Sequence, residues 1–153
     1  MLGEGDRLPE IQLLDDEGVH VATSSLVMID GYLVLYFYPK DDTPGCTSEA
    51  SQFRDLYAQF RKKNARIVGV SRDTPESHQA FKQKFSIPFT LLADTESKLC
   101  DAFGVIVEKT TNGQKRKGIA RSTFLIDGFG KIVKVWPKVN VDEHADEVLA
   151  ALQ

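Results

Sequence analysis

The sequence predicts an α/β layer fold with a central mixed sheet flanked by helices. Three observations carry that expectation. Apolar runs of strand length at 33–38, 67–70 and 89–92 alternate with segments whose apolar residues recur at helical spacing. Two of those helical segments open on Thr-Pro, at Thr43-Pro44 and Thr74-Pro75. Threonine suits the N-cap and proline the first helical position. Two hairpin signals, Asn112-Gly113 and Asp127-Gly128, then fall late in the chain and add antiparallel strands to a parallel alternation. With 153 residues, 42% hydrophobic and 27% charged, the chain suits one domain, 1–153, around one core.

In chain order, residues 8–14 read as a short strand, 15–18 as a turn and 19–21 as a return strand. Ser24, Ser25 and Leu26 lead to a turn at Asp30-Gly31, and the run 33–38 follows as a buried strand ended by Pro39. A helix is expected from Pro44 to about Asn64, because Ala50, Phe53, Tyr57 and Phe60 share one face. Its last turn carries Arg61, Lys62 and Lys63, which complement the negative end of a helix dipole. Residues 67–70 form the next strand. The helix opened by Thr74 presents Phe81 and Phe85, and Pro88 ends it. Strand 89–92, a short helix from Thr95 to Phe103, and a segment 105–107 come next. A polar insert at 109–118 holds Asn112-Gly113. Strands 122–126 and 131–136 flank the second hairpin turn, and a helix over 142–152 closes the chain.

Net charge is −3, with no basic block, so neither a nucleic acid nor an anionic membrane is an expected partner. No apolar run approaches the roughly 20 residues of a membrane span. The first residues lack the charged-then-apolar pattern of a signal peptide, and the two cysteines make no disulfide scaffold. A reducing, cytoplasmic setting is therefore expected. No glycine-rich phosphate loop occurs. His20, His78 and His144 lack metal-ligand spacing and read as surface or helix-face residues, so no metal is expected. Trp136 reads as a packing residue.

The chemistry concentrates on residues 36–50. Cys46 falls in the first turn of the helix opened by Thr43-Pro44. Backbone N–H groups there have no intrahelical partner, and the dipole presents its positive end. Both effects favour thiolate over thiol, and at such positions a cysteine pKa moves from about 8.5 toward 7 or below. A reactive thiolate is therefore expected, against the alternative of a buried structural cysteine.

The flanking residues add a resemblance. Pro39, Thr43 and Cys46 form P-x-x-x-T-x-x-C, which resembles the active-site signature of the peroxiredoxins. The string Tyr36-Phe-Tyr-Pro-Lys-Asp-Asp-Thr-Pro-Gly-Cys-Thr is similar to their Q-type branch, the bacterioferritin comigratory proteins. Arg121 opens R-S-T-F-L-I-D, similar to a segment of the same family whose Arg reaches the active site. The likeness runs from Gly5-Asp6 to the last helix.

That resemblance implies a thioredoxin-like fold and a peroxidase of hydrogen peroxide and organic hydroperoxides, active in antioxidant defence, with no cofactor. Cys46 would attack the peroxide and become a sulfenic acid. Thr43 would aim its hydroxyl at the sulfur or the peroxide, in competition with plain helix capping. Arg121 would hold thiolate and peroxide together. Pro39 would shape the pocket, and the N–H groups of Gly45 and Cys46 would bind the substrate. Lys40 and Glu49 read as surface charges or tuning groups. Relatives imply a monomer or weak dimer.

The chain also departs from its relatives. Where many Q-type members carry a resolving cysteine, this one has Ser51; where others place it on the next helix, it has Lys82. Cys100 is the other thiol, expected as a small buried residue rather than a resolving one. A one-cysteine enzyme is therefore expected, recycled by thioredoxin, glutaredoxin or glutathione. Three other classes compete. A thiol–disulfide oxidoreductase needs a second cysteine at the position of Glu49. A cysteine hydrolase needs a paired histidine. A redox-sensing or chaperone-like binding protein would use the same fold without turnover.

Overall fold

Strand and helix alternate as the sequence predicts. The computed structural model describes residues 1–152. It opens with β1 (Gln12–Asp15), β2 (His20–Ala22), a 3-10 turn, β3 (Tyr32–Phe37), α1 (Pro44–Lys62), β4 (Ala65–Ser71) and α2 (Pro75–Phe85). It continues with β5 (Thr90–Ala93), α3 (Lys98–Phe103), β6 (Ile106–Thr111), β7 (Gln114–Ile119), β8 (Ser122–Ile126), β9 (Ile132–Trp136) and α4 (His144–Ala151). Seven strands form one mixed sheet in the order β2-β1-β5-β4-β3-β8-β9. The pairs β3–β4 and β4–β5 are parallel, as the crossover helices α1 and α2 require, and β3–β8 and β8–β9 are antiparallel.

The inner strand β3 explains the two cores. Successive side chains of β3 point to opposite faces of the sheet. Val34 and Tyr36 join Phe53 and Phe60 of α1, Phe81 of α2 and Val148 of α4 in one cluster. Leu33, Leu35 and Phe37 join Leu99, Cys100 and Phe103 of α3 and Phe124 of β8 in the other. A strand buried on both sides reads as a continuous apolar run. One glycine makes room for the first cluster: a Cβ at Gly69 would stand 2.8 Å from Leu91 Cδ2 and 3.0 Å from Tyr36 Oη.

Several boundaries differ from expectation for local reasons. The first strand starts at Gln12 rather than residue 8. Helix α3 starts at Lys98 rather than Thr95, with Ser97 at the N-cap in the left-handed region, and the Asp94 carboxylate, three residues before that N-cap, accepts from the N–H of Leu99 (3.1 Å) and Cys100 (2.7 Å). The last helix spans His144–Ala151 rather than 142–152. The polar insert proves larger than expected. Together with its flanks it forms the ribbon β6–β7, paired from Ile106↔Ile119 to Thr111↔Gln114 and separate from the main sheet.

Candidate active site

Cys46 sits where the sequence places it, in the first turn of α1. The first bond of the helical ladder is Thr47 N–H to the Thr43 carbonyl (2.8 Å), so the N–H groups of Gly45 and Cys46 precede the ladder. The Cys46 residue is 2% exposed. Arg121, immediately before β8, donates from Nη2 to Cys46 Sγ at 3.4 Å. Strand β8 pairs beside β3 (Phe37↔Ser122), which brings Arg121 alongside the loop that follows β3. Gly45 lets the guanidinium approach: a Cβ there would stand 3.1 Å from Arg121 Nη2.

Arg121 is itself held from behind. Its Nη1 donates to Glu49 Oε1 at 2.8 Å, and the Glu49 side chain is 1% exposed. This corrects the surface reading of Glu49. Burial disfavours the charged carboxylate and, against the pull of Arg121, raises the Glu49 pKa to about 7. Glu49 Oε2 has no hydrogen-bond partner among the described residues, nor has the buried Tyr36 Oη. Burial, then Glu49 and Cys46, push the Tyr36 phenol upward. For Arg121, burial works against the charge, but Glu49 and the Cys46 sulfur outweigh it and hold the guanidinium above its usual value. The site is therefore a row of sulfur, guanidinium and buried carboxyl, with an unsatisfied phenol nearby.

The remaining expectations divide. The Thr43 hydroxyl donates to the Lys40 carbonyl at 2.8 Å, bonding neither to Sγ nor as a side-chain cap of α1, so this structure shows neither expected contact. Pro39 is half-buried in the same loop and Lys40 is exposed. Cys100 lies on the other face of the sheet, in the second core. Burial first, and then the Asp94 carboxylate, push its thiol well above the usual range.

Two histidines correct the surface reading. His78 is fully buried: Nδ1 lies 2.7 Å from Asp41 Oδ2 and Nε2 lies 2.9 Å from the Leu92 carbonyl. Asp41 also accepts from Tyr38 Oη (2.6 Å) and Ser77 Oγ (2.8 Å), which ties the loop before Cys46 to α2. His144 is buried too, its Nε2 2.8 Å from Thr123 Oγ1, and burial lowers its pKa. Neither histidine bonds to Cys46, so the dyad of a cysteine hydrolase is not present among the described residues. Asp41, Asp73 and His78 bring possible ligand atoms within 4.8 Å of one another. Those groups already bond one another and Ser71, Tyr38 and Ser77, which accounts for the cluster as a structural network.

A mixed sheet with a cysteine at the N-terminus of its first long helix and an arginine on the sulfur defines a thiol-chemistry enzyme of the thioredoxin-fold class. Residues 5–135 match the AhpC/TSA family, and the chain belongs to that family. It is 48% identical over 148 residues to the putative peroxiredoxin bcp of Coxiella burnetii, which covers 97% of each chain. It is 47% identical over 149 residues to peroxiredoxin Bcp of Bacillus subtilis, covering 97% of this chain and 94% of that one. Among solved structures, peroxiredoxin Q of Xylella fastidiosa superposes with a TM-score of 0.92 at 41% identity, covering 99% of this chain and 96% of that chain. The bacterioferritin comigratory protein of Xanthomonas campestris, described for its alkyl peroxide reduction activity, superposes at 0.87 with 42% identity over 96% and 97%.

Proposed function

We propose that the chain is a thiol-dependent peroxidase of hydrogen peroxide and organic hydroperoxides, with Cys46 as nucleophile. The observation that carries this reading is the contact of Arg121 Nη2 with Cys46 Sγ at the N-terminus of α1. The Cys46 thiolate attacks one peroxide oxygen, and the O–O bond breaks as the S–O bond forms. The sulfur becomes a sulfenic acid and the other oxygen leaves as water or alcohol, taking up a proton. Charge builds on the departing oxygen, and Arg121 with the N–H groups of Gly45 and Cys46 are the donors placed to meet it. Thr43, tied to Lys40, and Pro39 shape the wall of the site. The alkyl peroxide reduction described for the Xanthomonas relative supports the substrate class.

The placement of the two thiols supports a reading of the second half of the cycle. They belong to cores on opposite faces of the sheet, and Cys100 is held beside Asp94. An internal disulfide requires Cα atoms within about 7 Å. We read the chain as a one-cysteine enzyme whose sulfenic acid is resolved by thioredoxin, glutaredoxin or glutathione. Two free thiols with no partner suit a reducing compartment, which supports a cytoplasmic setting. Peroxide consumption in the presence of thiol tests the reading: it is expected for the wild type and lost in Cys46→Ser. Retained turnover in Cys46→Ser would overturn it.

A further inference from the structure

A cavity of about 420 Å³ opens beside Arg121. Its floor is apolar, from Val107, Ala120, Pro137 and Val139, and its charged lining is Lys109, Arg121 and Lys138 with no carboxylate. The ribbon β6–β7 supplies one wall and the segment after β9 the other. Val139 N–H bonds to the Arg121 carbonyl at 2.9 Å, which fixes that second wall to the residue that touches the sulfur. Among the described residues, neither Lys109 nor Lys138 is ion-paired. The Lys109 ammonium instead donates to the Ile119 carbonyl. Burial and the neighbouring Arg121 and Arg72 lower its pKa, while the Cys46 sulfur opposes them. Of the three cations Arg121 alone has a carboxylate partner, Glu49, so the two lysines bring positive charge here without an ion-paired counter-charge among the described residues, in a protein whose net charge is negative.

Resting on the peroxidase reading above, we infer that this cavity seats the resolving thiol, and that the thiol is a small carboxylate-bearing one of the glutathione type. The sulfur is almost fully buried, so a resolving thiol must enter the site. A tripeptide enters more readily than the surface of a folded reductase. Glutathione carries two carboxylates, which match Lys109 and Lys138, and its glutamyl methylenes match the apolar floor. Its sulfur attacks the sulfenyl sulfur, an S–S bond forms, and the hydroxyl leaves as water after taking up the thiol proton. A second glutathione then attacks the mixed disulfide, releasing Cys46 as thiol and glutathione disulfide.

The test compares glutathione with glutathione diethyl ester, which keeps the thiol and masks both carboxylates. Cys46 is first converted to its sulfenic acid with hydrogen peroxide, and the rate of mixed-disulfide formation is read by intact mass. Glutathione is expected to react faster than the ester on the wild type. The ratio of the two rates should fall by about tenfold in Lys138→Glu, a reversal at an exposed position, and should survive Lys138→Arg. Equal rates for the two thiols on the wild type, or a ratio unmoved by Lys138→Glu, would overturn the inference. Failure of Cys46 to form a sulfenic acid at all would instead overturn the peroxidase reading on which it rests.

Discussion

The molecule holds two buried cysteines, and their surroundings point in opposite directions. Cys46 lies before the ladder of a long helix begins, with an arginine 3.4 Å from its sulfur. Cys100 lies inside a short helix on the other face of the sheet, beside the carboxylate that caps that helix. At Cys46 the charged neighbour of the sulfur is a guanidinium. At Cys100 it is the Asp94 carboxylate, and burial first and then that carboxylate push the thiol upward. The comparison teaches that the two thiols differ in the sign of the neighbouring charge rather than in exposure, and the one beside the cation is the one expected to react.

Removing the thiols breaks the comparison most sharply. Cys46→Ser should lower peroxide turnover by about a thousandfold or more, while Cys100→Ser leaves it intact, both read by peroxide consumption. Next in size is Arg121→Ala. It should slow sulfenic acid formation by about a hundredfold and move the pH–rate profile to higher pH. Stopped-flow oxidation across pH would show both effects, and an unmoved profile would take Arg121 out of the chemistry.

Glu49 sharpens the same contrast from behind the arginine. Its ionised form sets a negative charge near the thiolate, so the peroxide rate should show an inflection near pH 7, the value to which burial raises this carboxyl. Glu49→Gln should abolish that inflection while changing the rate by no more than about tenfold, since an amide oxygen still accepts from Arg121. Stability carries the same signature. A carboxyl raised from its ordinary 4.5 to about 7 binds its proton more tightly in the folded state. Its contribution is full below pH 4.5 and is lost as pH rises toward 7. Denaturant titrations of Glu49→Gln should lack that slope. The smallest effect on activity belongs to Asp94→Ala. It should leave turnover unchanged and cost about 1–3 kcal/mol of stability, from two N–H groups left without an acceptor.

Much of this was legible in the sequence, for local reasons. The apolar run before Pro39 fixed a doubly buried strand, and Thr43-Pro44 fixed the start of the helix and with it the place of Cys46. Thr74 caps α2 as its pattern predicts, accepting from Ser77 N–H at 3.2 Å. The pairing of Arg121 with Cys46 was legible only through resemblance, because 75 residues separate them and strand pairing brings them together. The surface half of the Glu49 expectation fails because a charged side chain ordinarily belongs in water, while the alternative of a tuning group is compatible with its place behind Arg121. Its spacing pointed the other way: Cys46, Glu49, Ala50 and Phe53 recur at i, i+3, i+4 and i+7, which is one helix face. His78 follows the same rule with Phe81 and Phe85, and His144 with Val148. The Asp94 cap stayed hidden because it lies outside the helix whose N–H groups it satisfies.

Whether this is a one-cysteine enzyme is the point on which the account turns. Intact-mass analysis after one equivalent of hydrogen peroxide, on the wild type and on Cys100→Ser, addresses it directly. The account predicts the same product in both proteins: a sulfenic acid at Cys46, converted by added glutathione to a mixed disulfide. An internal disulfide in the wild type that disappears in Cys100→Ser would contradict it. The two cysteines would then have to meet across the sheet, and α1 or α3 would have to unfold locally for that to happen.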